Sequence, residues 1–126
     1  IYGDGEQTRD FIYVDDVVKA NLLAASTPDV SGEVFNIASG ESLSVNQLVK
    51  ILNQVFGTSL EPEYQTERKG DVRHSSASVE KARNMLGFVP SVTFEEGLRQ
   101  TIEWYADQSN DTYGEPDNLL QMKRYK

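Results

Sequence analysis

Two clusters in this sequence, one around Arg9 and one with Arg68, Asp71 and Arg73, have residue types that could do chemistry: the arginines could meet an anion, and Asp71 could accept from hydroxyls. Arg9 follows the Gly3-Asp4-Gly5 turn and precedes Asp10. A glycine turn lets backbone approach a ligand closely, and the planar fork of an arginine can clamp a phosphate. The same residues also suit a plain hairpin with a surface Arg–Asp pair, which spacing alone favours. A second cluster is Arg68-Lys69-Gly70-Asp71-Val72-Arg73-His74-Ser75, with three permanent cations inside six residues around a glycine. Arginine forks fit a diphosphate, Asp71 can accept hydrogen bonds from vicinal ribose hydroxyls, and Ser75 and Ser76 add neutral donors. As spacing, this cluster divides evenly between a ligand loop and a solvated one.

No nucleophile–base pair can be nominated. His74 is the only histidine, and nothing in its sequence neighbourhood marks it as a base. Asp15 and Asp16 are adjacent, so on a helix their side chains do not face each other as a metal pair would. They suit the first turn of a helix, at the positive end of its dipole. There is no P-loop and no G-x-G-x-x-G. No tyrosine has a lysine four residues later.

The elements that must position these residues follow from the pattern. The Asp-Gly dipeptide in Tyr2-Gly3-Asp4-Gly5-Glu6 predicts a hairpin whose second arm runs toward Phe11–Val14. Asp15-Asp16 opens a helix through Val17, Val18, Ala20, Leu22, Ala24 and Ala25, ended by Pro28. Val34–Ala38 is a short apolar run bounded by Gly32 and Gly40, the pattern of a buried strand. Ser44-Val45-Asn46-Gln47 is a capping box, and its helix carries Val45, Leu48, Ile51, Leu52 and Val55 before stopping at Gly57. Leu60–Tyr64 alternates but holds Pro62, so it is at best an edge strand. Ser78 caps a short helix through Ala82, Met85 and Leu86, closed by Gly87. Thr93-Phe94-Glu95-Glu96 is a second capping box, and Phe94, Leu98, Ile102 and Tyr105 line one face of the helix it opens. Helices alternating with strands give an α/β class. From Ser109 onward periodicity vanishes, which divides the chain into a folded region, 1–108, and a flexible tail, 109–126.

A chain of 126 residues, 38% hydrophobic and 25% charged, is soluble and globular in composition. Its formal net charge of −8 argues against nucleic acid and anionic membranes as partners. The charge is uneven. Residues 1–65 carry −7, residues 66–102 carry +1 and residues 103–126 carry −2. An anionic ligand, if there is one, is to be sought near the middle third and Arg9, and the bland reading of these charges is an ordinary solvated surface. The absence of cysteine excludes disulfides, Cys-ligated metals and thiol catalysis. No apolar run approaches the roughly 18 residues of a membrane span. No signal peptide opens the chain, and a cytoplasmic address is the default. The first residue is Ile1 and not Met, which points to processing or to a piece of something longer.

Taken together, IYGDGEQTRDFIYVDDVVKANLLA, VFNIASGESLSVNQLV, RKGDVRHSSASVEKARNMLGFVP and SVTFEEGLRQTIEWY resemble the C-terminal portion of NAD-dependent epimerase/dehydratases. These are the extended short-chain dehydrogenase/reductases that act on sugar nucleotides. The resemblance spans Ile1 to about Gln108. It is nearest to the UDP-glucose and UDP-N-acetylglucosamine 4-epimerase types, for which GDVRHS is suggestive.

That resemblance implies a fold and a set of roles. The fold is the last part of a parallel Rossmann-type sheet, with Val34–Ala38 a late strand of it, plus the small substrate-binding domain. Arg9, in TRDFIYVDD, matches an arginine that contacts the nucleotide diphosphate. Arg68 matches a second one, Asp71 matches the acid that bonds the ribose, and Arg73 is a further phosphate candidate. Where the family has an acid before the helix of EKA type, this chain has Ser78, which caps as well. The implied activity is 4-epimerisation of a UDP-sugar by tightly bound NAD, in a parent enzyme that is commonly a homodimer. The NAD fingerprint and the catalytic Tyr-x-x-x-Lys of the family lie in its N-terminal part, so this chain is expected to be inactive alone. The alternatives are a 4,6-dehydratase or decarboxylase of the same family, or a stand-alone nucleotide-sugar binding module without catalysis. A fragment with no ligand of its own is a further one.

Overall fold

The computed structural model describes the backbone of residues 1–112 and the side chains of residues 1–107. The elements are β1 (Thr8–Arg9), α1 (Val14–Ser26), β2 (Leu43–Ser44), α2 (Val45–Phe56), β3 (His74–Ser75), α3 (Glu80–Leu86) and α4 (Phe94–Thr112). The architecture is α/β, with a three-stranded sheet ordered β2-β1-β3. β1 runs antiparallel to β2 and parallel to β3, with Thr8 opposite both Ser44 and His74. No helix among the described residues is long and apolar enough to cross a membrane.

The core lies where α1 meets α3. Ala20, Ala82, Leu86 and Phe88 are buried, and Ile12, Leu23, Phe35 and Ile37 pack around them. The two alanines sit where the helices approach. Phe88 is fully enclosed, and burial of such a side chain contributes roughly 1.5–3 kcal/mol.

Local signals are obeyed where the partner is close in sequence. The Ser44 hydroxyl accepts from the Gln47 amide at 3.2 Å, and the Gln47 side chain accepts from the Ser44 amide at 2.7 Å. Gly57 takes the left-handed conformation that closes α2, a backbone state that costs glycine little. Thr93 supplies half of its capping box. Its hydroxyl accepts from the Glu96 amide at 3.3 Å, but the Glu96 carboxylate turns to Arg99 and Gln100. Ser78 stands one residue too early to cap α3. Val79 is the cap position, and the Ser78 hydroxyl reaches only the Glu80 amide, at 3.4 Å.

Three expected strands take another form. The Gly3-Asp4-Gly5 turn does not close a hairpin. Tyr2 bridges Gln65, and β1 pairs with β2 and β3 instead. The turn dipeptide sets a local reversal, but pairing goes to whichever strand tertiary packing brings alongside. Leu60–Tyr64 forms no strand, and only the neighbouring Gln65 makes a bridge. Val34–Ala38 is likewise no strand, because no other strand lies beside it among the described residues. A strand exists through its ladder, and an apolar run without one stays irregular. Ala38 is buried while Val34 is 80% exposed.

On α4, Phe94, Leu98 and Ile102 are half-buried, but Tyr105 is exposed and stacks edge-on against exposed Trp104 at 4.9 Å. The helix continues to Thr112, into the segment read as a tail, and the rest of that segment, 113–126, lies outside the described residues.

Candidate functional site

The residues singled out from the sequence gather around the pairing of β1 with β3. β1 carries Arg9. β3 follows Asp71 and Arg73 directly, so the parallel pairing of β1 with β3 brings residues more than sixty positions apart together. The Arg9 guanidinium donates to the Thr8 carbonyl at 2.8 Å, to the Arg73 carbonyl at 3.4 Å and to the Asp71 carboxylate at 3.3 Å. The Arg73 guanidinium donates to the Asp4 carboxylate at 2.8 Å. Arg9, Asp71 and Arg73 thus form one connected group. Arg68 stands beside it in a tight turn in which the Asp71 amide donates to the Arg68 carbonyl at 3.2 Å. Its guanidinium lies over the Tyr2 ring, 3.6 Å from the centroid.

The electrostatics of the group are uneven. The charges of Arg73 and Arg9 are matched by Asp4 and Asp71, in half-exposed pairs. The Arg73 hydrogen bond holds the Asp4 carboxyl below the ordinary carboxylate range, helped by the Glu6 amide, and the same bond raises Arg73 further. Arg68 and Lys69 make no ion pair among the described residues. Arg68 is thus held by a ring face and not by a carboxylate among these residues. The cleft between Tyr2, Asp4, Asp71 and Arg73 has a volume of about 10 Å³, enough for one water. Larger hollows lie elsewhere, about 390 Å³ between α2 and the 58–64 segment and about 280 Å³ beside Phe11 and Phe94. None of the four residues lines either one.

Several supporting residues escape the sequence reading. Arg9 does not pair with its neighbour Asp10. Asp10 instead accepts from the Ser39 amide and hydroxyl and the Gly40 amide, at 2.6 to 3.0 Å, and ties the end of β1 to the loop before β2. His74 bonds the Thr8 hydroxyl through Nδ1 at 3.0 Å, across the β1–β3 pairing. Asp16 is more than a dipole-facing acid. It is 1% exposed and accepts from the Ser91 hydroxyl at 2.7 Å and the Ser91 and Val92 amides at 3.0 Å. Burial alone would raise its carboxyl, but these hydrogen bonds outweigh burial and lower it. Only the acidic residue types hinted at these anchors, since their partners lie 29 and 75 positions away.

Comparison with known proteins shows what the chain is similar to. The family described as GDP-mannose 4,6 dehydratase matches residues 1–101. A UDP-glucuronate 4-epimerase from Thermodesulfobacterium geofontis is 36% identical over 105 residues, covering 82% of this chain and 32% of the relative. The crystal structure of a UDP-glucose 4-epimerase from Thermotoga maritima, with UDP-glucose, superposes with a TM-score of 0.80 at 50% identity. It is covered over 34% of its length, and this chain over 86%. The structure of MoeE5 in complex with UDP-glucuronic acid and NAD gives a TM-score of 0.81 at 42% identity, covering 86% of this chain and 36% of that one. The chain spans about a third of the length of these relatives.

Proposed function

The chain belongs to the GDP-mannose 4,6-dehydratase family, and from that premise we propose that it is the UDP-gripping part of an NAD-dependent UDP-sugar 4-epimerase. The observation that carries the reading is the Arg9–Asp71–Arg73 group with Arg68 beside it. Arg68, without an ion pair among the described residues, takes the first phosphate. The Arg9 fork then exchanges part of its Asp71 contact for the second, and the Asp71 oxygens turn to the ribose hydroxyls. Such fork contacts are charge-assisted and directional, so they hold the nucleotide while leaving the sugar free to turn.

On this reading NAD supplies reversible oxidation at the sugar. The residues here offer no G-x-G-x-x-G fingerprint for its pyrophosphate and no Tyr-x-x-x-Lys pair, so no hydride step is assigned to them. Their contribution is positioning. The parent enzyme would be a homodimer acting on a UDP-sugar, and this chain alone would be inactive. The name of the matching family favours a second reading, a nucleotide-sugar 4,6-dehydratase. It uses the same grip and differs in catalytic residues that this chain does not carry.

Calorimetric titration of the chain with UDP tests the grip. Binding is expected, weakened at least tenfold by Arg68→Ala; absence of binding at millimolar UDP would overturn the reading. Supplying the chain with UDP-glucose and NAD is expected to give no turnover, and measurable epimerisation would refute the purely positioning role.

A further inference from the structure

Asn46 is the second residue of α2 and touches none of the four gripping side chains. It nevertheless ties three segments together. Its backbone amide donates to the Gly5 carbonyl at 3.0 Å. Its side-chain amide donates to the Asp4 carbonyl at 3.0 Å and the Glu6 carboxylate at 2.6 Å. Its side-chain oxygen accepts from the Tyr64 hydroxyl at 2.9 Å. Gly5 is buried with φ +76°, and a Cβ there would lie 2.0 Å from the Asn46 side-chain oxygen. Asn46 therefore occupies the volume that any residue other than glycine would need at position 5.

The turn clasped in this way carries Asp4, the carboxylate that holds Arg73. That pair is half-exposed on both sides, and exposed pairs add little net order. It cannot by itself hold a turn with two left-handed residues, Gly3 and Gly5. The order flows the other way: the clasp fixes the turn, the turn fixes Asp4, and Asp4 orients the Arg73 fork. We propose that Asn46 is a positioning residue for nucleotide binding, acting through Asp4 on Arg73 at the edge of the anion-gripping group. The inference rests on the UDP-gripping reading for its ligand, and on the clasp alone for its geometry. A pre-oriented fork loses less freedom on binding than a wandering one, so releasing the clasp weakens the grip.

The test uses Asn46→Ala and the milder Tyr64→Phe, which removes one of the clasp's bonds. The Asp4 carboxyl is followed by carbon NMR as pH is varied, with no ligand present, and UDP affinity is measured by calorimetry. In Asn46→Ala the Asp4 midpoint is expected to rise toward the ordinary aspartate range and UDP affinity to fall about fivefold. Tyr64→Phe is expected to move both readouts in the same direction by less, and decides the matter if Asn46→Ala does not fold. An Asp4 midpoint that stays low in a folded variant overturns the proposal. So does an Asp4 that shifts while UDP affinity holds. If the unaltered chain binds no UDP, the ligand reading fails, and the Asp4 titration still judges the clasp.

Discussion

Two faces of this molecule are built by opposite rules. Around the pairing of β1 with β3, polar side chains are committed to residues far along the chain. Thr8 meets His74, Arg9 meets Asp71, Arg73 meets Asp4, and Asn46 holds the turn between them. On α1 the outward stripe of Val14, Val18 and Leu22, at i, i+4 and i+8, is apolar and exposed, and Val34, which opens the irregular 34–38 run, is exposed too. The first face depends on angles and distances, so one misplaced atom matters. The second depends on area, so single side chains matter little until something covers them. A site for a charged ligand needs the first kind of construction.

The largest break in this contrast is expected at Asp16. Asp16→Asn replaces an acceptor-only carboxylate with a group that turns donors toward the Ser91 and Val92 amides. The expected loss is about 3 kcal/mol, read from urea denaturation, because buried donors lose their partner. The pH dependence has a definite sign. The folded carboxyl is lowered, so its contribution is fully present above the unfolded aspartate value of about 3.9 and lost as pH falls through the folded one. The native chain should therefore lose stability on the acid side, and Asp16→Asn should flatten that limb. A variant with an unchanged limb would mean that another carboxylate governs it.

Gly5→Ala comes next. It forces a Cβ into φ +76° and onto Asn46, with an expected cost of about 2 kcal/mol. Combined with Asn46→Ala, the steric part should vanish while the backbone strain remains, so the two changes should cost less together than their separate costs predict. Simple additivity would show that the clasp and the turn are independent.

The smallest effects belong to the open face. Val18→Lys and Leu22→Lys in the chain alone should each change stability by no more than about 0.5 kcal/mol, as surface substitutions do. A loss of several times that would show the stripe to be covered in solution, and the contrast between the faces would collapse.

What could be read from residues alone follows the same divide. The capping box at Ser44 and Gln47 and the stop at Gly57 were legible because donor and acceptor lie within one helical turn. The four candidate residues were nominated by type and by resemblance, and the structure brings Arg9, Asp71 and Arg73 together with Arg68 adjoining. The pairing partners were not legible. Arg9 had a carboxylate next to it and chose one 62 residues away. The Asp-Gly dipeptide specified a turn but not the strand that follows it. Val34–Ala38 has the composition of a strand, and composition names no neighbour. Asp16 looked like its neighbour Asp15, and only the approach of Ser91 and Val92 separates the buried anchor from the exposed acid.

The stacked pair on α4 has a practical consequence. Trp104 is the only tryptophan in the chain, and it lies on an exposed part of that helix against Tyr105. Its fluorescence is thus a single-site gauge with no competing indole. Its emission moves toward the blue when something shields this stretch of α4 from water.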